Sequence, residues 1–141
     1  MSEENVELVR NWMDAWVEWF NSERDPDALG EVGRQYMAPD VVYEEDPVWP
    51  DAGTFHGPDA VLRRFLEYLE LMHLEGMARG EVIDAGGLVF AEVRIAMLGA
   101  EAGEPVDFLW SYTVRVDDGR VVHFRAWYDR DEAAKAAGLW E

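Results

Sequence analysis

The sequence predicts an α+β fold in which a curved antiparallel sheet wraps helices that precede it in the chain. Three observations predict it. Apolar residues recur at gaps of three and four through the N-terminal half, the spacing of one helix face. Beyond Leu74 the pattern changes to alternation in four successive stretches, the spacing of strands. The joints between those stretches are short and rich in Gly and Asp, which suits an antiparallel meander.

Each element has its own warrant. Ser2 can cap a first helix running to about Asn21, with Val6, Val9, Met13, Val17 and Phe20 on one side and Trp12, Trp16 and Trp19 alongside. Asp25-Pro26 is a cap followed by proline at the first helical position, so a short helix should run to about Met37. "APDVVYEED" (38–46) reads as extended, ended by Pro47 and Pro50. Gly57-Pro58-Asp59 opens a third helix carrying Val61, Leu62, Phe65, Leu66, Leu69 and Met72 on one side. Strands follow at about 75–84, 87–98, 106–117 and 120–129, separated by "DAGG", "GAEAGEP" and "DDGR". Asp118-Gly119 is a strong hairpin signal. "DRDEAAKAAGL" reads as a last helix with Gly138 as its stop.

A chain of 141 residues is most simply one domain, 1–141, burying roughly 68–70% of its unfolded surface. The formal net charge of −18, from 30 acidic and 12 basic residues, opposes binding to phosphate backbones and to anionic lipid, so neither nucleic acid nor membrane is an expected partner. No apolar run approaches the ~20 residues of a membrane helix. The acidic start "MSEENVELVR" lacks the basic and apolar regions of a signal peptide, which makes a cytoplasmic location the expectation. With no cysteine, thiolate chemistry is excluded. His56, His73 and His123 are too scattered for a metal-ligand spacing.

Two strands report on the sheet faces. In 88–98, Val89, Ala91, Val93, Ile95 and Met97 share one face, and Phe90, Glu92, Arg94, Ala96 and Leu98 the other. In 120–129, Val122, Phe124, Ala126 and Tyr128 oppose Val121, His123, Arg125, Trp127 and Asp129. Neither face is plainly polar, so both are expected to be covered. A homodimer through the convex face is the expected arrangement, and a cavity is expected at the open end of the curved sheet.

The stretches "YMAPDVVYEEDP", "GTFHGPDAVLRRFLEYL", "VIDAGGLVFAEVR" and "DDGRVVHFRAWYDRDEAAKAAGL" resemble, in order and over nearly the whole chain, the SnoaL-like branch of the nuclear transport factor 2-like superfamily. The resemblance implies an α+β cone, often dimeric, with a mostly antiparallel sheet around a deep apolar pocket. That fold hosts isomerases, hydrolases, cyclases and inert binding proteins, so it leaves function open. Glu45-Asp46-Pro47-Val48 is similar to the strand end of ketosteroid isomerases, whose aspartate is the base, which makes Asp46 the implied base. The tyrosine donor of that family falls near Trp12 and its aspartic acid donor at Ser111 or Tyr112, so neither is kept. Limonene epoxide hydrolases are similar at Tyr43 and Arg94, but their two aspartates fall at Ala96 and Ala126, which disfavours that hydrolysis. The resemblance to polyketide cyclases leaves their base unplaced.

The candidate catalytic residues are therefore Asp46, Glu45 and Arg94. Asp46 is either a general base raised towards working pH by an apolar pocket or an Asp-Pro turn residue bonded to nearby backbone. Glu45 shares parity with Tyr43, and a bulge after it would turn both carboxylates inward. Arg94 either holds a substrate oxygen or pairs with Glu92 or Glu45. The resemblance places Trp12, Trp16, Tyr43, Phe65, Phe90, Tyr112, Phe124 and Tyr128 around the pocket. The expected ligand is a small, apolar, cyclic metabolite, and the expected step is proton abstraction beside a carbonyl with no metal or organic cofactor. A non-catalytic ligand-binding or dimerisation domain is the alternative.

Overall fold

Helical spacing builds α1 (Ser2–Phe20), α2 (Pro26–Tyr36) and α3 (Pro58–Leu71), and strand alternation builds β1 (Met37–Glu44), β2 (Thr54–His56), β3 (Leu74–Asp84), β4 (Val89–Leu98), β5 (Pro105–Asp117) and β6 (Arg120–Trp127), before α4 (Arg130–Ala137). These come from a computed structural model, which describes residues 2–22, 24–49, 51–71, 74–98 and 105–138. The turn expected at 99–105 lies outside the described residues up to Pro105, as do Met72 and His73.

Local chemistry sets the element ends. Asp25 caps α2 by accepting from Asp27 N at 3.2 Å, with Pro26 next, so an otherwise orphaned N–H is satisfied. Asp129 does the same for α4, accepting from Asp131 N at 2.8 Å. Gly138 closes that helix in the left-handed region at φ 87°. Asp118 and Gly119 both have positive φ, 51° and 75°, and join β5 to β6 in the turn that matches strand twist.

The six strands order β2-β1-β6-β5-β4-β3. Every pairing is antiparallel except β1 with β6, where Val42 faces His123 and Glu44 faces Arg125 in parallel. Neither that parallel pair nor the short β2 was foreseen. On the concave face Val89, Ala91, Val93 and Ile95 of β4 meet Trp110, Tyr112 and Val114 of β5. Helices α1 and α3 close over them with Val9, Trp12, Met13, Trp16, Val61 and Phe65. The alternation expected along β6 is corrected by a bulge: Arg115 pairs with His123 but Val116 pairs with Val121. The extra residue, Val122, turns Val121 into the core with Phe124 and Ala126.

On the convex face α4 lays Ala133, Ala134 and Ala137 over Phe90. Its first residue, Arg130, pairs with the buried Glu92. Glu92 fits because its neighbour on β3 is Gly80, where a Cβ would stand 2.9 Å from the Cβ of Glu92. None of the described helices is long and apolar enough to cross a membrane, a statement that does not bear on β-barrels.

Candidate functional site

The site begins where β1 ends. Strand alternation turns Tyr43 inward, and Glu45, two residues on, follows it; both are buried. The carboxylate of Glu45 is completely enclosed and Arg64 of α3 grips it from the side, Nε to Oε2 and Nη2 to Oε1, each at 2.9 Å. Gly53 N donates to Oε1 at 3.2 Å. Arg64 Nη2 also reaches Asp51 O at 3.0 Å. Its guanidinium lies over the rings of Tyr68, 4.7 Å from the centroid, and Phe55, at 5.3 Å. Hydrogen bonding to Glu45, opposed by partial burial, raises the Arg64 pKa further. The pair is thus a bidentate, charge-assisted bridge with flat walls on the cation.

Two tyrosine hydroxyls belong to the same region. Tyr43 and Tyr112 are 0% and 1% exposed, and neither hydroxyl has a hydrogen-bond partner among the described residues. Burial pushes both pKa values well up. The charge of Glu45 acts on both in the same direction, and on Tyr43 the Tyr112 hydroxyl adds more than Glu45 does. Both phenols therefore stay protonated at any physiological pH and can serve as neutral hydrogen-bond donors.

Aromatic rings fill the space around them. Tyr43 stacks on Phe124 with centroids 4.6 Å apart, and Trp12 meets Phe124 edge-on at 5.0 Å. Trp16 stacks on Phe65 at 4.8 Å, and Trp110 on Tyr112 at 6.2 Å. Next to this cluster, among the described residues, lies a cavity of about 10 Å³ lined by Trp16, Trp19, Phe20, Phe65, Tyr68, Met77 and Trp110, room for about one water. At this place the described residues leave no room for an organic ring.

The structure brings together Glu45, Tyr43, Tyr112, Trp12, Trp16, Phe65 and Phe124, and separates the other candidates from them. Asp46 is buried, but Oδ1 accepts from Val48 N at 3.1 Å and Oδ2 from Tyr128 N at 3.0 Å. It is the turn residue of the two expected alternatives, bracing the connection to β2 against the end of β6. Arg94 is corrected outright: it lies on the convex face opposite Ala78 and Leu109, exposed, and forms neither expected ion pair. Phe90 occupies that same parity and packs under α4. Tyr128 follows the last residue of β6 and is 68% exposed, because strand alternation no longer controls it. The residues missed by sequence reasoning are Arg64, Trp49 and Trp110. One signal pointed to Arg64: a glutamate on the inward parity of β1 needs a cation, and Arg64 borders the apolar face of α3. Among the described residues no group of three or more His, Asp or Glu side chains is placed to hold a metal ion.

Comparison with known proteins places this geometry in context. The family model described as a SnoaL-like domain matches residues 9–124. No curated protein matches the chain. Among solved structures, Bal32a from a soil-derived mobile gene cassette superposes with a TM-score of 0.67 at 18% identity, covering 99% of this chain and 98% of that one. An NTF2-like protein of Burkholderia thailandensis gives 0.64 at 24% identity, covering 93% and 95%. A Catenulispora acidiphila protein with a ketosteroid isomerase-like fold, solved with trimethylamine, gives 0.61 at 18%, covering 91% and 92%. At these identities the likeness is one of fold, an architecture that supports a small-molecule pocket on its concave side.

Proposed function

We propose, from the premise that this chain belongs to the SnoaL-like domain family, that it binds a small apolar cyclic metabolite bearing a carbonyl oxygen and moves a proton on it. One observation carries the reading: two enclosed tyrosine hydroxyls without partners among the described residues, beside an enclosed carboxylate. A carbonyl oxygen between Tyr43 and Tyr112 would accept from both. As a proton leaves the neighbouring carbon for Glu45, negative charge grows on that oxygen, where fixed neutral donors stabilise it most. Returning the proton to the far carbon of a conjugated enolate gives isomerisation; attack of the enolate on a second carbonyl, with the Glu45 proton passed to the new alkoxide, gives cyclisation. Arg64 is a positioning residue here, holding the carboxylate in one orientation.

The test needs no natural substrate. In deuterated water, exchange of the α-protons of 2-tetralone followed by NMR should run faster with the protein than in buffer. Glu45→Gln should return it to the buffer rate. Tyr43→Phe or Tyr112→Phe should each lower it by up to about 10²–10³-fold, the effect of one oxyanion donor. Exchange at the buffer rate with the native chain would overturn the catalytic reading.

A second reading, binding without turnover, is favoured by the occupancy of Glu45, whose two oxygens are already bonded by Arg64 and Gly53 N. It predicts saturable binding of 2-tetralone with no exchange above buffer. A homodimer through the part of the convex face that α4 leaves bare completes the proposal. Sedimentation at the 16.2 kDa of one chain would refute it.

A further inference from the structure

The connection from Asp46 to Gly53 lays Trp49 edge-on against Trp110, centroids 6.0 Å apart at 84°. Trp110 in turn stacks on Tyr112. The half-buried Trp49 therefore stands at the outer end of a ring series whose inner member carries an orphan hydroxyl. A cavity of about 10 Å³ cannot admit an organic ring, which needs on the order of 150 Å³. Some wall must move. Of the residues that line it, Trp16, Trp19 and Phe20 are held by α1, Phe65 and Tyr68 by α3, Met77 by β3 and Trp110 by β5, and Trp49 covers Trp110 from outside. Trp49 sits on a connection, the kind of segment that opens at least cost.

That connection is fastened at identifiable points. Asp46 bonds Val48 N on one side and Tyr128 N on the other. Arg64 bonds Asp51 O, and Glu45 and Gly53 exchange two bonds through Glu45 N and Oε1. We propose that Trp49 is a removable plug over the concave core, that Asp46 and Arg64 are the catches that hold it in place, and that a ligand enters by displacing it. The inference rests on the ligand site proposed above. It also gives Arg64 a double attachment, to the connection and to Glu45, so that opening removes the acceptor Asp51 O, which shares Arg64 Nη2 with the carboxylate.

The experiment uses 2-acetylnaphthalene, a flat neutral ketone, with binding followed by quenching of tryptophan fluorescence and association rates taken by stopped flow. If the open state is on the order of 1–10% populated, Trp49→Ala should raise apparent affinity by about 10–100-fold. Trp49→Phe, which keeps a smaller ring and guards against misfolding of the alanine variant, should give an intermediate gain. Asp46→Ala should speed association and the hydrogen exchange of the Val48 and Tyr128 amides. Native affinity and rate in both Trp49 variants overturn the plug, as does weaker binding, which would make Trp49 a ligand contact, or no saturable binding to either variant. The double variant Tyr43→Phe, Tyr112→Phe separates the two claims. If it binds the probe as the native chain does, the hydroxyl site fails; if it binds weakly while Trp49 is without effect, the plug alone fails.

Discussion

An enclosed hydroxyl with no acceptor costs about 1–3 kcal/mol, and Tyr43 and Tyr112 each carry one. Tyr112→Phe should therefore stabilise the fold by up to about 1–3 kcal/mol in urea unfolding while weakening ketone binding. A loss of stability would mean that the hydroxyl is satisfied in solution. The same pair gives a pH prediction. Burial holds both phenols protonated above their ordinary value of 10.0, whereas the unfolded chain releases those protons near pH 10. The folded state then binds more protons than the unfolded one, so this contribution is intact below pH 10 and is lost as pH rises beyond it. Melting temperatures at about pH 8 and about pH 11 should fall further apart for the native chain than for the double phenylalanine variant. Arg64 predicts the opposite kind of effect. Arg64→Met would strand the fully enclosed Glu45 carboxylate and should cost about 3–5 kcal/mol, measured by the same unfolding curves.

Among elements, the connection after β1 decides how Asp46 is understood. Asp46→Ala removes the side-chain acceptors of two backbone N–H groups and should cost about 1–3 kcal/mol, with faster exchange at the Val48 and Tyr128 amides. Asp46→Asn should leave α-proton exchange on 2-tetralone intact, because the proposed base is Glu45; loss of exchange would restore Asp46 to the chemistry. Elements set by neighbours in sequence were legible beforehand. The α2 cap at Asp25, the Asp118-Gly119 hairpin and the Gly138 stop all follow from bonds spanning a few residues. Elements set by distant partners were not. The bulge at Val122 exists because β6 must satisfy β1 and β5 together, and no local feature of "GRVVHF" states that. Glu45 was legible as inward-facing from its parity with Tyr43. Its need for a cation was legible too, but strand alternation does not say which cation answers it, since Arg64 lies on a helix 19 positions away. Arg94 failed for the converse reason: resemblance outweighed the parity that already put it with Phe90, away from Val93 and Ile95.

For the whole molecule, a net charge of −18 means self-repulsion at low salt. Raising sodium chloride from about 0.02 M to about 0.5 M, where screening shortens to a few ångströms, should raise the melting temperature. A flat or falling dependence would show that local ion pairs such as Arg64–Glu45 and Arg130–Glu92 dominate over the global field. The parallel pairing of β1 with β6 has an effect in time. The strand bearing Tyr43 is made well before its hydrogen-bonding neighbour β6, and Asp46 waits 82 residues for Tyr128. On the ribosome, β1 must travel unpaired on that side until β6 has emerged. A nascent chain stalled before residue 120 should thus remain open to proteases at its first strand, and synthesis itself would decide when a working core comes into being.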